Sequence, residues 1–366
     1  MRRPALVKLL SSAAMSMAWL FIPLYAFDLK ASFSFIGLIV ASYALAVFFS
    51  SMIFGRAADM YGRRKIVVLG LFLSSISFGF LVLATDPTQL LLLRFLTGFT
   101  AGMFNSALVA YVAEREAALG RFSSFGAMGF TIGFVISGTI MAFREDTYLI
   151  FVGSSMVFFA AFLVSLTLPK APERTFKVPR IPIRLIKRNG HLYTAMLFRH
   201  TGASIAWVIF PIYQESLGLT RDLIAYMWIP NFAAQILFMN YIDRFKNPHP
   251  MIKTGLFAAG SAFVVFVLLN SWWGLIPGML ILGMSWSFLY IGVLKELNER
   301  NEERATATGL LNSTISLSGI IGPLVGGVIA DYYGYTANIM VAGMMAFAGL
   351  LMYVIVRKRV RPDRKA

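Results

Sequence analysis

Apolar stretches of ~20 residues, each long enough to cross a hydrocarbon core, recur from one end of the chain to the other with short polar breaks between them. They predict about twelve helical spans, near 5–27, 33–55, 66–84, 89–112, 122–143, 148–168, 191–213, 223–242, 254–270, 275–294, 306–330 and 337–356. The first run follows Arg2, Arg3 and Lys8 and so begins like a secretory signal. It is long, lacks a small-residue cleavage site and is followed at once by a second span, which makes it a retained first helix. The longest break, 169–190, reads KAPERTFKVPRIPIRLIKRNG from Lys170, and its prolines and basic residues divide the spans six and six. Its IPIRLIK stretch suits either a short amphipathic helix on the membrane surface or a plain tether.

Composition sharpens this into a membrane protein. The chain is 58% hydrophobic and 14% charged, where a soluble domain carries about a quarter charged residues. It has no cysteine, so disulfides, thiolate metal sites and cysteine nucleophiles are excluded. A formal charge of +16 raises the question of nucleic acid, but the distribution answers it. With both termini inside, all but five of the 33 Lys and Arg fall on the inner side: Lys30, Arg144 and Arg221 lie outside, and Arg94 and Arg199 lie within spans. Cytoplasmic loops collect positive charge in this way, so topology accounts for the basicity, and the basic tails also suit anionic lipid headgroups. The expected location is the plasma membrane, with many passes and both termini cytoplasmic.

The chain also repeats itself. AWLFIPLY (Ala18–Tyr25) in span one matches AWVIFPIY (Ala206–Tyr213) in span seven, and GFVISG (Gly133–Gly138) in span five matches GPLVGG (Gly322–Gly327) in span eleven, at offsets that differ by one residue. Two parallel six-helix halves are expected, 1–168 and 191–366, joined by a basic cytoplasmic linker at 169–190.

The inner loop between spans two and three reads GRAADMYGRRK, with Gly55, Asp59, Gly62, Arg63 and Arg64 spaced as glycine, an acid four residues on, then Gly-Arg-Arg. This resembles the signature of the major facilitator superfamily. Gly55 suits close helix approach and Gly62 a tight turn. The resemblance implies that Asp59 faces the N-terminal end of span eleven, near Thr306, and latches the cytoplasmic side closed through the helix dipole. The matching loop of the second half keeps Asp243 and Arg244 but lacks both glycines. Span four reads RFLTGFTAG, with Arg94, Gly98 and Gly102, and resembles the second family motif; Met279 stands at the corresponding place in the second half. The exporter pattern GxxxGPxxGG is partial in span five, where Gly129, Gly133 and Gly138 match but Phe134 and Ser137 depart from it. Its last part is better matched by Gly322, Pro323, Gly326 and Gly327 in span eleven. These small residues equally suit helix packing.

The family resemblance implies an all-α integral membrane fold of about twelve helices in two pseudo-symmetric bundles with a cleft between them. It implies alternating access to a small-molecule substrate, with no cofactor. A monomer is expected. An intramembrane arginine costs at least ~2.5 kcal/mol at the bilayer centre and must face protein or water. Arg94, Arg199 and His200 are therefore the candidates for charge attraction or proton coupling. No acid lies near a span midpoint; Asp28, Glu114, Glu116, Glu215 and Glu296 fall near the surfaces. Trp19, Tyr25, Tyr43, Asn105, Trp207, Tyr213, Asn231, Gln235, Trp286, Tyr290 and Asn312 are the polar and aromatic candidates for the cavity, a set that suits a lipophilic or weakly polar solute. Export of such a solute is the first reading. Proton-coupled uptake of a small organic anion is the second, and a receptor or scaffold that has lost transport is the third. No phosphate loop, metal cluster or catalytic triad is present in the sequence, so an enzyme is not expected.

The orientation is directly testable. Single cysteines placed in 169–190 should stay unlabelled by an impermeant maleimide in intact cells, and labelling there would overturn the assignment.

Overall fold

The computed structural model of the chain describes residues 2–113, 119–169, 183–242, 245, 247–301 and 304–359. In order, the helices are α1 (Arg2–Asp28), α2 (Phe33–Tyr61), α3 (Arg63–Gly79, continued by a 3-10 turn Phe80–Leu83), α4 (Pro87–Ala113), α5 (Leu119–Arg144) and α6 (Thr147–Leu166). After the linker come α7 (Ile183–Arg188), α8 (Gly190–Trp207), α9 (Phe210–Ser216), α10 (Arg221–Tyr226), α11 (Ile229–Tyr241), α12 (Pro248–Leu269), α13 (Trp272–Arg300) and α14 (Arg304–Arg359). No strand occurs among the described residues.

Nine helical stretches of the described residues are long and apolar enough to span a bilayer. One of them, Gly309–Arg357, is 49 residues long and holds a non-helical residue, Gly334 (φ 77, ψ −175), which divides α14 into two spans. A side chain is strained at such a φ, so glycine is the residue that allows the break. The pair α8 and α9, bent by 44°, counts as one further, broken span. Among the described residues, helices lie over each of the stretches that the hydrophobic pattern predicts as spans, α4 with Arg94 inside it included. Polar side chains start several helices: Ser32, Asp146, Asn247 and Ser271 each accept from a backbone N–H of the first turn. Part of the linker, Ile183–Arg188, is a short helix; 170–182 lies outside the described residues.

The chain divides into two compact units. The first comprises Met1–Lys177 together with Ile209–Ile229, and the second Val178–Val208 together with Pro230–Ala366. In the first unit α1 packs on α5 and α6, α2 on α4, α3 on α4 and α6, and α10 on α5. In the second, α8 packs on α14, and α12 on α13 and α14. Apolar side chains such as Leu92, Met156, Phe257, Leu268 and Leu351 remain on the outside, as lipid-facing surface requires.

Helices in lipid gain no hydrophobic drive to associate, so they pack through close approach at small residues and through hydroxyl hydrogen bonds to backbone. In the first unit a Cβ at Gly133 would overlap the Ala13 carbonyl and Ser16 of α1, and one at Gly129 the Leu9 carbonyl. In the second unit a Cβ at Gly322 would overlap Ser204 of α8, and one at Gly326 the Ile205 carbonyl. Span five therefore seats on span one as span eleven seats on span seven, which is the sequence repeat expressed in packing. Ser154 Oγ donates to the Ala14 carbonyl (2.7 Å), and Ser285 Oγ to the Gly255 carbonyl (2.8 Å).

Gly322→Val should push α14 off α8, costing about 1–3 kcal/mol by overpacking and lowering the thermal midpoint of purified protein by several degrees. Gly190→Ala, where a Cβ meets nothing within 4 Å, should leave it unchanged. Equal midpoints for the two variants would contradict this packing.

Candidate functional site

The first unit holds a guanidinium on an aromatic face. Arg94 of α4 is 2% exposed, and its Cζ lies 4.1 Å from the centroid of the Tyr43 ring on α2. One turn on, Gly98 has no room for a Cβ against the Tyr43 carbonyl, so the glycine of the motif brings α2 close enough for the ring to meet the arginine. No described carboxylate pairs with Arg94, and its Nε is buried without a hydrogen bond. Cation–π contact is one means of holding such a charge out of water. Further along α4, Asn105 Oδ1 accepts from Lys8 Nζ at 3.1 Å. Lys8, which the sequence offers only as flanking charge, is thereby brought onto a candidate residue.

The second unit repeats the theme with different residues. Arg199 of α8, 4% exposed, places its Cζ 5.2 Å from the Trp286 ring centroid on α13. Trp286 and Tyr290 are one helical turn apart and stack at 5.0 Å with planes 13° apart. The His200 ring lies 5.5 Å from Trp286. Arg199 Nε and His200 Nδ1 are buried without hydrogen bonds, and no carboxylate is paired with either among the described residues. Asn231 of α11 donates to the Met279 carbonyl (3.1 Å), and Gln235 donates to Asn231 Oδ1 (2.7 Å). Asn231 therefore ties α11 to α13, and Gln235 holds the Asn231 amide from the same helix. Trp207 packs on Phe263 of α12, at 6.0 Å, and Asn312 is exposed on α14.

Other candidates act as ties within the first unit. Tyr25 Oη donates to the Ala84 carbonyl (2.5 Å) and lies 3.3 Å from Tyr148 Oη. Tyr213 is buried on α9 beside Phe210. Trp19 meets Trp228 edge-on at 5.4 Å, with Phe134 against both. Phe134, the departure from the exporter pattern, thus fills an aromatic cluster. Gly138 faces Tyr226 and Ala225 of α10. Arg221 at the start of α10 grips Asp28 at the end of α1 with both terminal nitrogens (2.7 and 2.6 Å) and Glu215 with Nε (3.0 Å). Gln214, fully buried, has neither amide atom hydrogen-bonded. The sequence offers no signal for that isolation.

In the signature loop, Gly62 adopts φ 98 and its N–H closes α2 on the Ala58 carbonyl. Arg64 Nη2 donates to the Leu166 carbonyl at the end of α6 (2.6 Å), where a cation suits the helix dipole. The side chains of Gly55, Asp59 and Thr306 lie outside the described residues, as do Glu114, Glu116, Asp243 and Arg244.

One cluster was not legible as a site. Glu296, expected near a surface, is 2% exposed and is surrounded by His191, His249, Arg300 and Tyr353. The residues come from α8, α12, α13 and α14, and no local motif links them.

Known proteins share this layout. A quinolone resistance protein, NorA, of Staphylococcus aureus (strain MSSA476) is 25% identical over 363 residues, covering 94% of this chain and 92% of the relative. Multidrug resistance protein 2 of Bacillus subtilis (strain 168) is 23% identical over 352 residues, covering 89% and 87%. A crystal structure of the nucleoside transporter NupG superposes with a TM-score of 0.74 at 15% identity, covering all of both chains. The human organic anion transporter MFSD10 (TETRAN) superposes at 0.71 with 17% identity, covering 96% of this chain and 99% of that one. The family model for the Major Facilitator Superfamily matches residues 5–295 and 292–366. The chain belongs to the Major Facilitator Superfamily and is a membrane transporter rather than an enzyme.

Proposed function

We propose that the protein exports a planar aromatic, weakly polar small molecule from the cell by alternating access, in exchange for protons. The observation that carries the reading is the Arg199–Trp286–Tyr290 stack: a buried guanidinium, with no carboxylate paired to it among the described residues, beside two parallel rings. Such a surface offers stacking area to a flat solute and one positive charge to an electron-rich or acidic substituent. The names of the bacterial relatives, quinolone resistance and multidrug resistance, support export as the direction. The halves 1–168 and 191–366 rock about the solute, with 169–190 as their tether. Both termini face the cytoplasm of a plasma-membrane monomer whose basic loops touch lipid headgroups. Asp59 latches the inner side against the start of the eleventh span. Arg221 with Asp28 and Glu215 supplies the outer counterpart.

Proteoliposomes loaded with a fluorescent aromatic dye test this. Trp286→Ala should lower dye flux roughly tenfold, the scale of a lost stacking contact of ~1.4 kcal/mol, while the protein stays folded. Arg94→Lys should keep part of the activity, because charge survives while the planar fork is lost, and Arg94→Met should abolish it. Flux indifferent to Trp286→Ala would remove the aromatic site, and selective inward movement of a small organic anion would establish uptake instead.

A further inference from the structure

The buried carboxylate of the second unit sits where three helices meet its own. Glu296 Oε1 is 3.0 Å from His191 Nε2 of α8 and 3.4 Å from Arg300 Nη1, one turn along α13. Glu296 Oε2 lies 3.2 Å from His249 Nδ1 of α12, and it accepts from Tyr353 Oη of α14 at 3.3 Å. His249 Nδ1 and Tyr353 Oη are themselves 2.9 Å apart. Arg357 of α14 adds a positive charge that acts on His249. Glu302 and Glu303 lie outside the described residues.

Two features make the arrangement sensitive to a single proton. Arg300 Nη1 approaches the same His191 Nε2 at 3.0 Å that Glu296 Oε1 approaches. That nitrogen either accepts from the guanidinium or, carrying hydrogen, donates to the carboxylate; it cannot do both. His191 Nδ1 is buried and has no hydrogen-bond partner among the described residues, so the second ring nitrogen offers no compensation there. Adding a proton to His191 makes the contact with Glu296 an ion pair and sets the imidazolium against Arg300. The pair at the start of α8 and the end of α13 is then clamped.

The same two helices build the aromatic stack. His191 and Arg199 are both on α8, and Glu296 shares α13 with Trp286 and Tyr290, so clamp and stack stand about 12–15 Å apart along rigid helices. We propose that the His191–Glu296–His249 cluster is a proton-binding site linked to solute binding at the Arg199–Trp286–Tyr290 stack. A solute entering between Arg199 and Trp286 spreads α8 from α13, and the spreading releases the proton that clamps their ends. Linkage makes this reciprocal, so the proton and the solute each weaken the other's binding. The inference rests on the aromatic stack being the solute site.

The test is the affinity of purified full-length protein for a fluorescent aromatic carboxylate dye, across about pH 5.5 to 8, where imidazoles titrate. In the wild type Kd should rise by up to tenfold per unit fall in pH, and dye addition in weak buffer should release protons. Glu296→Gln keeps the shape and should flatten the pH dependence to under twofold and abolish the release. Should that variant fail to fold, His249→Gln, at a side chain 28% exposed, should move the midpoint of the pH dependence. Wild-type pH dependence retained in both variants would overturn the proton site while leaving the solute site standing. Dye binding that ignores Trp286→Ala would overturn the solute site, and the linkage with it.

Discussion

Water is absent from the hydrocarbon core, and every other feature of this transporter follows from that. A backbone polar group left unpaired there costs several kcal/mol, so the chain is helical wherever it crosses. Helices whose lipid-facing sides are as apolar as the lipid gain nothing from hiding them, so they associate by shape. Gly129 and Gly133 against α1, and Gly322 and Gly326 against α8, are among the places where neighbouring helices come close. Serine hydroxyls that donate to neighbouring carbonyls add directed bonds without burying unpaired charge.

The same constraint sorts the charges. Basic residues gather in alternate loops along the chain, and among the described residues Arg221 pairs with Asp28 and Glu215. Two guanidiniums, Arg94 and Arg199, remain deep in helices, each over an aromatic face and with no carboxylate paired to it among the described residues. A charge is costly to hold in such a position, and the aromatic face under each guanidinium offsets part of that cost. In the first unit the arginine is locked against α2 by Gly98. In the second it stands over a two-ring stack.

Much of this was legible in the sequence because its signals are local. Span lengths, charge asymmetry, the GRAADMYGRRK loop and the RFLTGFTAG run each occupy one stretch of chain. The repeat needs only two such stretches compared. The break at Gly334 also falls between two predicted spans, although the helix continues on both sides of it. The Glu296 cluster was not legible, because its members lie on four helices far apart in sequence and each looks like an ordinary interfacial residue. The Arg221 ion pair escapes the sequence for the same reason: its partner Asp28 is on α1. Phe134 reads in the sequence as a lapse from a glycine–proline pattern, and in the fold it packs against the Trp19 and Trp228 rings.

The central claim is that a flat solute rests on the paired rings of α13 beneath the arginine of α8. An electron cryo-microscopy map of the protein with a bound aromatic carboxylate dye tests it most directly. The account predicts density stacked on Trp286 and Tyr290, with the carboxylate within hydrogen-bond distance of the Arg199 guanidinium. Ordered dye density elsewhere, with Arg199 still lying on an uncovered Trp286, would contradict it.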